Sequence, residues 1–195
     1  MTKTEKRTAR MRLLAATEAM LREVGMAGTG IKDVVARSGA PIGSLYHYFP
    51  GGKTQLVSEA LQINADRSRA LLGRFFGRNP SAAAALRALF NTAADGFERG
   101  GSDKGCAVGA VTLDLTPQDT ALREICRSTF DDWAALIAPC LPFPDAPSRR
   151  SFAVTVVATL EGAFVLARAA QSGEPFRHAG KSLAAMVTAA SGRRR

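Results

Sequence analysis

The sequence predicts an all-α protein of about nine helices. Three observations carry that reading. Apolar residues recur at spacings of three and four, β-type alternation is nearly absent, and Gly or Pro interrupts the pattern at helix-length intervals. The organisation expected is an N-terminal three-helix helix-turn-helix domain over residues 1–60. A C-terminal helical domain would follow over 61–195.

The first periodic segment runs from about Thr4 to Val24. Leu13, Leu14, Thr17, Met20, Leu21 and Val24 form its stripe, and Gly25 supplies the ending. A second helix spans about Ile31 to Arg37, with Thr29 as its N-cap and Asp33 at its positive end. Ser38-Gly39-Ala40 makes a tight turn. Pro41 opens a third helix, about Ile42 to Phe49, where its missing N–H costs nothing. Pro50-Gly51-Gly52 stops it. A fourth helix runs from Lys53 to about Phe76, and Gly77 to Pro80 breaks the chain.

The fifth helix is expected at Ser81 to Glu98. A Gly-rich loop then leads to a short helix at Ala107 to Leu113. Pro117 is read as opening the next helix, which carries Leu122, Ile125, Cys126, Phe130, Trp133 and Ile137 to about Ala138. The run from Pro139 to Pro147 is a linker. Two long helices close the chain, about Ser148 to Gln171 and Pro175 to Ala190.

Composition narrows the function classes. The chain has 195 residues, 46% hydrophobic and 22% charged, which is globular rather than disordered. The formal net charge is +9, which favours a polyanionic partner. Nucleic acid is the first reading and an anionic membrane surface the rival. Basic residues are densest at the two ends, in Lys3 to Arg12 and in Arg193-Arg194-Arg195. The three cysteines, Cys106, Cys126 and Cys140, are odd in number and form no CxxC. Neither a disulfide framework nor a metal site is indicated. No nucleophile–base pairing or phosphate loop is present, so no catalytic residue, cofactor or enzyme activity is expected. The apolar stretch Ser151 to Ala167 is about 17 residues long, at the lower limit for spanning a bilayer. Glu161 interrupts it, and a buried helix is the reading preferred. No signal-peptide pattern opens the chain, so a cytoplasmic protein away from the membrane is expected.

A helix, a short Gly-containing turn and a second short helix is the helix-turn-helix plan, here about residues 29–48. Gly39 suits a turn whose conformation penalises a Cβ. Val34, Val35 and Leu45 would pin the two helices together. Small or polar groups would face outward from Pro41, Ile42, Gly43, Ser44, Tyr46 and His47, letting the backbone approach base edges. Thr29, Ser44, Tyr46 and Tyr48 can donate to phosphates, with Lys32 beside them. Lys53, at the start of the fourth helix, combines a cation with free backbone N–H groups as a phosphate clamp.

The run from Asp33 to Pro50, above all Gly43-Ser44-Leu45-Tyr46-His47-Tyr48-Phe49, resembles the DNA-binding signature of the TetR family of repressors. Gly39-Ala40-Pro41, Gly51-Gly52-Lys53 and Gly105-Cys106-Ala107-Val108-Gly109 resemble its LmrA/YxaF-like subgroup. The resemblance implies a homodimer on a palindromic double-stranded DNA operator, joined through the last two helices. It also implies release by a small apolar or aromatic effector held in the C-terminal domain. Phe90, Phe97, Phe130, Trp133 and Phe164 are the candidate lining, and ordinary core packing is the competing reading for each. Two departures stand out. Ile42 occupies a position where family members often carry Lys or another polar residue, and it could offer only apolar contact to a thymine methyl. Gly30 stands where many members have Thr, leaving the capping role to Thr29. An enzyme and a nucleoid-type DNA binder without a ligand are the alternatives.

Overall fold

Nine α-helices and one 3-10 turn make up the described residues, 3–101 and 103–192, of the computed structural model, with no strand among them. In order they are α1 (Lys3–Val24), α2 (Ile31–Ser38), α3 (Ile42–Tyr48), α4 (Gly52–Arg78), α5 (Ala82–Arg99), α6 (Ala107–Asp114), α7 (Thr120–Ile137), α8 (Ala146–Ala170) and α9 (Glu174–Gly192). The 3-10 turn, Ala138–Cys140, follows α7.

The helices group into two compact units. The first comprises Met1–Asp66 with Cys106–Arg127. The second comprises Arg67–Gly105 with Ser128–Arg195. This differs from a single division at residue 60. α6 and the start of α7 pack with the N-terminal helices, a long-range association that local periodicity cannot reveal.

In the first unit α1 packs on α2, α3 and α6. Leu13, Leu21, Val34, Leu45, Phe49, Val57 and Leu61 are fully buried and form its core. Each such side chain contributes about 1.5–3 kcal/mol relative to exposure. The Asp114 carboxylate at the end of α6 accepts the Ala27 N–H at 2.9 Å, tying α6 to the α1–α2 connection. Cys106 caps α6, its Sγ accepting from Gly109 N–H at 3.5 Å. Burial raises the pKa of the Cys126 thiol above its ordinary value, which disfavours the thiolate.

Several expected boundaries move. α2 begins after Gly30, which is its N-cap and makes no side-chain cap bond. Thr29 is therefore not the cap: it is 1% exposed, and its hydroxyl donates back to Gly25 O at 2.6 Å. Pro41 is the N-cap of α3 rather than its first residue. Pro117 does not open α7. Asp119 accepts from both the N–H and the hydroxyl of Thr116, holding a loop, and the helix starts at Thr120. The Pro-rich linker ends earlier than expected, because Asp145 caps α8 through Ser148 N–H at 2.7 Å and Pro147 lies in the first turn.

In the second unit α5 and α8 both pack on α9. Gly180 permits the closest approach: a Cβ there would lie 2.6 Å from Phe90 Cβ. Arg177 of α9 donates to Glu98 and Asp95 of α5. α8 departs from expectation. By length and composition it could cross a membrane, the only such helix among the described residues, yet just 28% of its most apolar window is buried. Ala153, Val156, Val157, Ala163 and Ala167 are buried, while Val154, Val165 and Leu166 face out.

Candidate nucleic-acid interface

Gly39 sets the geometry of the turn between α2 and α3. It adopts φ 61°, ψ 20°, the left-handed conformation that a side chain with Cβ disfavours, and so turns the chain sharply from α2 into α3. Ser38 reinforces the turn, its hydroxyl donating to Val35 O and accepting from Ala40 N–H. Arg37 is held by Glu23 of α1 through two bonds of 2.5 and 2.9 Å, fixing α2 on α1.

α3 is two turns long. Leu45 and Phe49, four residues apart, are both fully buried and anchor one face. The opposite face is free. Pro41, Ile42, Gly43, Tyr46 and His47 are exposed, with Ile42 at 51% and Tyr46 at 58%, while Ser44 and Tyr48 are half-buried. A Cβ on Gly43 would meet nothing in the chain within 4 Å, so the glycine is not demanded by internal packing. The His47 and Tyr48 rings meet edge-on at 5.1 Å. Gly52, at φ 64°, makes the corner into α4, and Lys53 follows half-buried in its first turn. Lys32 is exposed in the first turn of α2.

Thr29 is the one predicted contact that this arrangement removes. Buried and bonded to Gly25 O, its hydroxyl cannot reach a phosphate. The basic N-terminal run also divides. Arg10 turns inward, pairing with Glu59 and lying over the Phe49 ring at 5.3 Å. Arg12 lies outside, its Nη1 3.8 Å from where a Gly39 Cβ would sit. The side chains of Lys3, Lys6 and Arg7, and all of residues 193–195, lie outside the described residues. Nothing local distinguishes Arg10 from Arg12, because the partner Glu59 is 49 residues away.

The five aromatics expected around an effector sit in the second unit. Phe90, Phe97 and Trp133 are buried, and Phe130 and Phe164 half-buried. Phe97 and Phe164 pack on Phe176, at 5.9 and 4.8 Å between ring centroids, a hub the periodicity reading did not single out. Phe130 and Trp133 meet edge-on at 5.5 Å. Two open surface grooves are present, one of about 590 Å³ beside Leu166 and His178, the other of about 500 Å³ beside Phe143 and Phe152. None of the five lines either groove. No group of three or more His, Cys, Asp or Glu among the described residues could hold a metal ion.

An all-helical chain with this exposed short helix after a left-handed glycine turn defines a helix-turn-helix DNA-binding regulator. Residues 13–60 match the family described as bacterial regulatory proteins, tetR family, and residues 82–182 match the transcriptional regulator LmrA/YxaF-like, C-terminal domain. The HTH-type transcriptional regulator LmrA of Bacillus subtilis is 30% identical over 87% of this chain and 91% of its own length. HTH-type regulator Rv0196 of Mycobacterium tuberculosis is 34% identical over 82% of this chain and 84% of its own. Among solved structures, regulatory protein TetR from Rhodobacter sphaeroides superposes with a TM-score of 0.81 at 22% identity, covering 90% of this chain and 97% of that one. TetR-family regulator CifR, solved with 26-bp double-strand operator DNA, gives 0.75 at 18%, covering 91% and 94%. The chain belongs to the TetR family of DNA-binding transcriptional regulators, in its LmrA/YxaF-like branch.

Proposed function

We propose that this regulator is a dimeric repressor that a small molecule releases from DNA. Two copies joined through α8 and α9 would present two α3 helices to the half-sites of a palindromic operator, working in the cytoplasm. The observation that carries the dimer is the outer face of the last two helices. Val154, Val165 and Leu166 of α8 and Met186 of α9 are each about half exposed or more in the single chain. Apolar surface of that kind on a long helix is what a second copy covers. The groove beside Leu166, with Ala170, Pro175 and Ala179 in its wall, would accept a partner side chain.

At the DNA, α3 would enter the major groove. Tyr46, His47 and Ser44 would contact backbone or bases, Ile42 would touch a thymine methyl, and Gly43 would let the helix approach closely. Lys32, Tyr48 and Lys53 would hold phosphates. CifR was solved on operator DNA, and the likeness of fold supports the same mode here. For the effector, Phe130 and Trp133 suit an apolar or aromatic molecule. The Trp133 N–H is buried without an acceptor among the described residues, which costs about 1–3 kcal/mol and favours an effector that supplies one.

Sedimentation of the wild type and of a Val165→Glu/Leu166→Glu variant tests the dimer. The wild type is expected to be dimeric at micromolar concentration. The variant should dissociate at least about tenfold more readily. A monomeric wild type, or one that partitions into lipid vesicles instead, would refute the dimer reading.

A further inference from the structure

Five residues around the end of α3 form a closed ring of contacts. Gly51 N–H donates to Gln55 Oε1 at 2.9 Å. Gln55 Nε2 donates to Glu59 Oε1, also at 2.9 Å. The other oxygen of Glu59 receives the Arg10 guanidinium, which lies over the Phe49 ring. The ring begins and ends on the three residues that terminate the recognition helix, Phe49-Pro50-Gly51. It ties them to α1 on one side and α4 on the other.

Phe49 is the C-cap of α3, and its N–H donates to Leu45 O at 2.8 Å. Its position therefore sets where the last turn of α3 lies. Leu45 and Phe49 bury one face, but apolar contact alone is non-directional and leaves rotation about the helix axis weakly specified. A planar guanidinium fixed by a carboxylate and stacked on a ring supplies the missing orientation. The pair is partly exposed, at 39% and 28% for the two side chains, so its contribution to folding stability is small. That separates a role in geometry from a role in holding the unit together.

We propose that Arg10, held by Glu59 and Gln55, is a positioning residue for DNA reading. It sets the angle at which α3 meets the groove and makes no phosphate contact itself. The proposal rests on α3 being the reading helix. It also makes a prediction opposite in sign to simple electrostatics. Removing a carboxylate beside a DNA-binding surface ordinarily strengthens binding to any duplex. Here Glu59→Gln should weaken recognition of the right one.

The probes are a duplex enriched from a random-sequence pool by the wild-type protein, and an unselected duplex of the same length. Glu59→Gln is expected to lose about tenfold on the enriched duplex while staying within about twofold on the unselected one. Arg10→Met is expected to show the same selective loss, with the slope of log affinity against log salt unchanged. Loss of a phosphate contact would instead reduce that slope by about 0.9. The double variant should lose no more than the worse single one, because both break the same ring. Arg10→Lys keeps the charge and guards against a folding defect in Arg10→Met. It should lose about threefold. Glu59→Gln binding the enriched duplex as well as or better than wild type overturns the proposal, and so does a shallower salt slope for Arg10→Met. A wild type that enriches no duplex overturns the DNA-reading role of α3 and this inference with it, a result plainly different from selective failure of the variants.

Discussion

At the scale of single residues, Tyr46 and Lys53 have separate proposed roles in contacting DNA. Tyr46 is 58% exposed on the outer face of α3, and Lys53 sits at the start of α4 just past the Gly52 corner. Neither belongs to the core, so neither substitution should disturb the fold. Tyr46→Ala and Lys53→Ala are each expected to weaken binding to an enriched duplex by about tenfold while leaving the dimer intact by sedimentation. A monomeric Tyr46→Ala or Lys53→Ala would mean that head and dimer surface are not separate. The exposed face from Pro41 to His47 was legible in the sequence, because Leu45 and Phe49 at a spacing of four mark the buried side. Thr29 was misread for a definite reason. A hydroxyl just ahead of a helix can cap it or can bond backward, and here Thr29 bonds back to Gly25 O, where the chain turns at φ 71°.

Helix packing is governed by a few positions of close approach. Gly180 lets α9 settle against Phe90 of α5. Gly180→Ala places a methyl 2.6 Å from Phe90 Cβ, and backbone must shift to accept it. The expected cost is about 1–3 kcal/mol, read as a lower denaturant midpoint. Gly162→Ala serves as the control, since a Cβ there meets nothing within 4 Å. Equal effects would show that α5–α9 contact does not depend on the missing Cβ. The order and type of the helices followed from periodicity and from Gly and Pro punctuation. The starts of α7 and α8 did not, because the Asp119 carboxylate holds Thr116 in a loop ahead of α7 and the Asp145 carboxylate caps α8. The sequence predicts a buried α8 because composition alone does not show which of its apolar side chains the rest of the chain covers, and Val154, Val165 and Leu166 are exposed.

Across the whole molecule, the ties that set long-range arrangement are polar and distant in sequence. Glu98 accepts from Arg177 and from Gly173 N–H, and these bonds hold its pKa down at about 2. A depressed carboxylate stabilises the fold above its ordinary value of 4.5, and that stabilisation is lost as pH falls toward about 2. Wild type should therefore lose melting temperature more steeply than Glu98→Gln across that window. Parallel curves would mean the Arg177 cluster contributes nothing to the fold. The grouping of α6 with the N-terminal helices depends on the same kind of distant tie, Asp114 to Ala27. Neither tie leaves a local signature in the chain.

The surface from Ile42 to Lys53 is the proposed DNA-reading face. Equilibrium binding to an enriched duplex and to an unselected duplex, across a salt series, tests it most directly. The enriched duplex should be preferred throughout, and its affinity should fall by roughly a thousandfold between about 50 and about 200 mM salt. Affinity that ignores salt, or equal affinity for both duplexes, would contradict it.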